Sequence, residues 1–114
     1  MHELAVTESI LEIALRHAQR AGATRIADIH LVIGQLSSIV DESVSFYWDI
    51  ISKGTIAEEA QLHFKRIEAQ MECLQCNHRY NPTEGDLICP LCGSLKVKVV
   101  AGEEFSLEAI EVET

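Results

Sequence analysis

The chain reads as an α+β fold: a small three-stranded sheet with two helices, interrupted by an inserted domain built on four cysteines. Three observations predict it. Apolar residues recur at helical spacing in two stretches and alternate as in strands in three others. The cysteines stand as Cys73-Leu-Gln-Cys76 and Cys89-Pro-Leu-Cys92, with twelve residues between the pairs. The last strand pattern lies beyond the second pair, so the cysteine segment interrupts the body rather than trailing from it. The division that follows is a body of residues 1–69 plus 103–114 and an insertion of residues 70–102.

From Leu4 to Ala21 the pattern is helical, with Leu4, Leu11, Ala14, Leu15 and Ala18 gathered toward one face and Glu8, Glu12, Arg16 and Gln19 on the other. Gly22 supplies the stop. Ile26 to Ile33 alternates as a strand, with Ala27, Ile29, Leu31 and Ile33 forming one apolar face, and Gly34 ends it. The second helix follows Ser38 to Asp41, where a serine or Asp41 is the expected cap, and runs to Lys53, closed by Gly54. Val44, Tyr47, Trp48 and Ile51 share its inner face, and Phe46 and Ile50 widen the apolar surface. Ala60 to Met71 is a second extended segment packed through Leu62, Phe64 and Met71. Phe105 to Val112 is the third, with Phe105, Leu107, Ala109 and Glu111 opposite Ser106, Glu108 and Ile110. Within the insertion Leu95 to Val100 is strand-like.

Two CxxC knuckles offer four thiolates, the donor set that closes a tetrahedral site around Zn(II). Such a site has no open position, so the ion is structural and the insertion is a zinc-ribbon domain. Gly93, directly after Cys92, permits the turn that points backbone amides at sulfur. Tyr80, Leu87 and Ile88 are too few to form a core of their own, so the metal substitutes for one. His78, two residues past Cys76, is placed to influence the thiolates or simply to be exposed.

The formal net charge is -9. Residues 67–114 carry nine acids against three bases, so the cysteine-bearing part is the more acidic one and nucleic acid is not expected as a partner. No charged-then-apolar leader opens the sequence, and no run approaches the roughly 18 apolar residues of a membrane span, so the expected location is cytoplasmic without a membrane partner. No nucleophile-and-base arrangement or phosphate loop is present to suggest an enzyme. A free edge on the small sheet leaves homodimer formation open.

The chain starts Met1-His2-Glu3. A histidine at position 2 can wrap one metal with its Nδ1, its own backbone nitrogen and the terminal amine, a nitrogen-rich field that suits Ni(II) or Cu(II) better than zinc. The same histidine can equally be an ordinary exposed one. On residues alone, a zinc-ribbon adaptor that binds another protein and carries no second metal stays open.

Taken together, Met1-His2-Glu3, the helix that follows it and the Cys73, Cys76, Cys89, Cys92 pattern resemble the HypA/HybF family of hydrogenase nickel-incorporation proteins across essentially the whole chain. The resemblance implies a nickel metallochaperone. Its transferable Ni(II) would be held by His2 with the Met1 amine, and Glu3 would act in tuning, partner contact or ligation. Cys73, Cys76, Cys89 and Cys92 would hold structural Zn(II). The implied partners are an accessory GTPase and the nickel-iron hydrogenase large-subunit precursor.

Overall fold

The computed structural model describes residues 3–82 and 86–114. In chain order it comprises α1 (Glu3–Arg20), β1 (Arg25–Gly34), α2 (Asp41–Ile51), β2 (Gln61–Ile67), β3 (Gln70–Cys73), β4 (Arg79–Tyr80), β5 (Val97–Ala101) and β6 (Phe105–Glu113). These form two helices and two three-stranded sheets, ordered β2-β1-β6 and β4-β3-β5. The molecule is elongated, 55 × 25 × 17 Å. No helix among the described residues is long and apolar enough to cross a membrane.

Helix α1 buries Thr7, Ile10, Leu11, Ala14 and Ala18, a stripe at helical spacing, whereas Leu4 is largely exposed at its first turn. The Thr7 hydroxyl donates back to the Glu3 carbonyl, which satisfies a polar group inside the core. Gly22, at φ 68°, ends the helix: its N–H reaches the Gln19 carbonyl and the Ala23 N–H reaches that of Ala18. Helix α2 buries Val44 and Trp48, keeps Tyr47 half-covered and leaves Phe46 and Ile50 exposed. It stops at Ile51, two residues before the expected Lys53, and its N-cap is Val40 rather than the expected serine or Asp41, which is the first residue of the helix.

The larger sheet pairs β1 parallel with β2 and antiparallel with β6. Two bulges correct the expected strand faces. A register shift between Ile26 and Asp28 makes Ala27 the extra residue, so Ile26, rather than Ala27, enters the core with Ile29, Leu31 and Ile33. Opposite His30 and Leu31 the shift falls at Glu108, so Ile110 and Val112 pack inward and Ala109 and Glu111 turn out. The expected segment Ala60 to Met71 is two strands. Leu62 and Phe64 of β2 support the body core, while Met71 of β3 is buried in the other sheet.

Strands β3, β4 and β5 therefore lie in sequence between β2 and β6 but build a separate sheet. The crossings meet at Gly34, Ala69 and Gly102. A Cβ on Gly34 would stand 2.1 Å from the Gly102 carbonyl oxygen, and one on Gly102, at φ +110°, 2.7 Å from the Ala69 Cα. Gln35 Oε1 accepts the Ala69 N–H at 2.8 Å, Asn81 Nδ2 donates to the Ala69 carbonyl at 2.8 Å, and the Leu36 N–H reaches Gly102 O at 2.7 Å.

Candidate metal centres

Each cysteine pair sits on a knuckle of the same design. In the first, the Asn77 N–H donates to Cys73 O at 3.0 Å and the Cys73 N–H to His78 O at 2.9 Å. In the second, the Gly93 N–H donates to Cys89 O at 2.9 Å and the Cys89 N–H to Ser94 O at 3.1 Å. The residue after each second cysteine has positive φ, 63° at Asn77 and 71° at Gly93. Glycine adopts that conformation without cost and asparagine at small cost, so both pairs can fold as tight turns. The sequence signal at Gly93 was legible, and Asn77 is its counterpart in the first knuckle.

The two turns face each other. Cys73 Sγ lies 3.6 Å from Cys92 Sγ and Cys76 Sγ 3.7 Å from Cys89 Sγ, and all four sulfurs fall within 4.8 Å of one another. Four sulfurs around one Zn(II) at ~2.3 Å stand about 3.8 Å apart at tetrahedral angles. The donor set and its spacing thus fit a four-thiolate metal site. Cys73 and Cys89 are buried, and Cys76 and Cys92 are exposed.

Backbone amides prepare the sulfurs for charge. The Cys76 N–H, helped by the Gln75 N–H and against burial, holds the Cys73 thiol down to about 7. Burial opposes ionisation of Cys89, but the Cys92 and Leu91 amides and the neighbouring thiols outweigh it and lower its value. The His78 amide favours the Cys76 thiolate, yet burial and the adjacent sulfurs raise its value overall. The Ser94 amide likewise favours Cys92, while Cys73, burial and the other thiols push it up to about 12. The four sulfurs therefore compete for negative charge, and a dication among them removes the conflict. His78 contributes its main chain to this arrangement, and its ring lies against Tyr80, with centroids 5.9 Å apart and planes 12° apart.

Met1 and His2, the expected nickel donors, lie outside the described residues. Glu3 is nearly buried, and its Oε2 accepts the N–H of Val40, the N-cap of α2, at 3.3 Å. Val40 has no side-chain acceptor to cap that helix, so a carboxylate from α1 supplies negative charge where the amino end of α2 needs it. The first turns of both helices are tied together at the residue that follows His2. Nothing in the local sequence links positions 3 and 40, so this contact required the tertiary structure.

A family model described as "Hydrogenase/urease nickel incorporation, metallochaperone, hypA" matches residues 1–112. The hydrogenase maturation factor HypA of Dehalococcoides mccartyi is 42% identical over 113 residues, covering 99% of this chain and 95% of that one. The HypA of Caldanaerobacter subterraneus is 39% identical over 114 residues, covering 99% and 100% respectively. Among solved structures, that of the Ni metallochaperone HypA from Helicobacter pylori matches with a TM-score of 0.67 at 26% identity, over 99% of this chain and 98% of that one.

Proposed function

The chain belongs to the HypA family of hydrogenase nickel-maturation metallochaperones, and from that premise we propose that it binds Ni(II) at its amino terminus and gives it up by ligand exchange. Members of the family are not catalytic enzymes. The nickel donors are His2 Nδ1, the His2 backbone nitrogen and the Met1 amine. Three donors leave one position through which a receiving ligand can enter, and nickel passes without covalent turnover.

Zinc has the opposite role. In this reading residues 70–102 form a zinc-ribbon domain whose ion is held by Cys73, Cys76, Cys89 and Cys92. The four sulfurs already face one another, so the closed set retains its metal and stabilises a segment with little core. The receiving partners are the accessory GTPase and the nickel-iron hydrogenase large-subunit precursor.

The observation that carries this reading is the closed cluster of four thiols, which leaves the terminal donors as a separate set in the sequence. The thiols turn toward each other, while Met1 and His2 directly precede Glu3, whose carboxylate is already engaged with α2. Glu3 thereby serves as an anchor for the terminal segment. Titration of zinc-loaded protein with a free Met1 amine, compared with His2→Gln and read by X-ray absorption, tests the proposal. Loss of a nitrogen-rich nickel site with an unchanged zinc–sulfur shell is expected. Equal nickel binding by both proteins would reject the terminal site and favour a zinc-dependent adaptor.

A further inference from the structure

The two edges of the larger sheet differ in charge. On its exposed face β2 presents His63 and Lys65, while β6 at the other edge presents Glu108, Glu111 and Glu113. Residues 102–114 hold five acids and no base. On the inner face, Ile26, Ile29 and Leu31 of β1 are fully buried, whereas Phe105, Leu107, Ile110 and Val112 of β6 are only partly so. Beside them runs a groove. A hollow of about 490 Å³ lies between Val6, Ile10 and Ile13 on one wall and Phe105 and Leu107 on the other. A second, of about 260 Å³, shares Ile13 and Leu107 and reaches His17 and Glu108. Both are lined by α1 and β6 alone, so they open on the side of β6 that faces away from β1. Val6 and Ile13 are half-buried and lie outside the core cluster.

From this combination we infer that the free edge of β6 and the groove beside α1 form a docking surface for an extended segment of a partner protein, one in which apolar side chains alternate with basic ones. Main-chain groups supply the pairing. The Gly34 N–H donates to the Glu104 carbonyl, so in the antiparallel alternation residue 106 also faces β1, and Phe105 and Leu107 turn their N–H and C=O outward. A strand added there points its side chains alternately to the two faces of the sheet. One set enters the groove against Val6 and Ile13. The other set lies beside Glu108, Glu111 and Glu113, and lysine or arginine is the complement of that row.

The acids of that row have partners within the sheet and keep room for more. Glu108 Oε2 stands 3.9 Å from Lys65 Nζ, and Glu113 Oε1 stands 3.3 Å from Arg25 Nε. Glu111 Oε1 lies 2.8 Å from Nε2 of His30, whose ring stacks on that of His63 with centroids 4.7 Å apart. The three acidic side chains remain 47%, 60% and 63% accessible in that order, so a second cation can approach each. On α1, Arg16 is held by Glu12 at 3.0 Å. The same row opposes a second copy of this chain. Two β6 edges side by side would set acid against acid, and the bulge at Glu108 breaks the regular ladder that such a pairing needs. The surface rests on the sheet and α1, and it stands whether or not the terminal nickel site does.

The probe is a synthetic peptide of about eight residues, an ordinary strand length, alternating valine with lysine. It is titrated into the full zinc-loaded chain and followed by NMR. Saturable binding of one peptide per chain is expected, with shifted methyl signals at Val6 and Ile13 and slowed amide exchange at Phe105 and Leu107. Val6→Ala with Ile13→Ala keeps good helix formers in α1 while stripping one wall of the groove, and should weaken binding about tenfold. Glu108→Gln, Glu111→Gln and Glu113→Gln together should weaken it at least about threefold. No saturable binding, or equal binding of a peptide alternating valine with glutamate, overturns the inference. So does undiminished binding by the alanine variant, or binding without slowed exchange at β6, since either leaves charge attraction alone. Self-association of the chain with the same amide protection and no peptide assigns the edge to a second copy and overturns it as well.

Discussion

The helix-bearing body and the cysteine module are stabilised by different physics. In the body, Ile26, Ile29, Leu31, Val44 and Trp48 are buried together between sheet and helices. In the module, Met71, Cys73 and Cys89 are buried, while Leu74, Leu87, Ile88, Leu91 and Leu95 are exposed. Most of its large apolar residues lie outside, and one sulfur of each cysteine pair lies inside. The body therefore draws its stability from area removed from water, whereas the module has little such area and a metal held by its four sulfurs would crosslink its two turns.

That contrast can be broken most severely by taking the metal away. Chelation of zinc, or Cys89→Ser, should melt β3 to β5 while the body stays folded, because structural zinc in such small modules supplies ~10–16 kcal/mol of apparent binding free energy. Amide exchange should show protection lost in the module and kept at Ile29 and Leu31. Simultaneous loss in both regions would show that the two are one cooperative unit.

The reciprocal experiment is Trp48→Ala. Removing a fully buried indole should cost the body about 3–5 kcal/mol, measured by urea denaturation, with the zinc–sulfur absorption spectrum unchanged. A smaller cost follows from Glu3→Ala, which removes the carboxylate that accepts the Val40 N–H. Loss of about 1 kcal/mol is expected, as for other helix caps, with faster amide exchange in the first turn of α2. An unchanged exchange rate there would show that the contact has no capping role.

The smallest effect concerns pH. The Gln75 N–H donates to Cys73 Sγ at 3.4 Å and is one of the groups that lower that thiol to about 7. A thiol lowered by folding favours the native module at high pH, and this contribution fades as pH falls through the lowered value. Gln75→Pro removes the donor, so protons should displace zinc at a higher pH than in the parent, by a fraction of a pH unit in a chelator-coupled titration. A midpoint moved downward would contradict the assigned role of the amide.

The two regions were also unequally legible in the sequence. Four thiolates can close a metal site only from a few spacings, so Cys73, Cys76, Cys89 and Cys92 announced their cluster without any knowledge of the fold. The helices were legible through the periodicity of Leu11, Ala14 and Ala18 and the stop at Gly22. The strand faces were less so, because bulges at Ala27 and Glu108 each shift the alternation by one residue, and a bulge depends on what lies across the sheet. The boundary between β2 and β3 was hidden for a related reason: both are extended, and only their partners assign them to different sheets. Contacts such as Glu3 with Val40, or His30 with His63, join distant positions and leave no local signature.

The pairing of β1 with β6 has a consequence for how the molecule comes into being. Arg25 is matched with Glu113, so the central strand of the body waits for a partner at the far end of the chain. On the ribosome, the whole cysteine module is synthesised before β6, so the body's sheet cannot close until β6 has followed it. The module, whose strands and ligands all fall within residues 70–101, is complete earlier. The four thiols can therefore be brought together while the body's sheet is still two-stranded, and the third strand of that sheet is the last piece of the fold to be added.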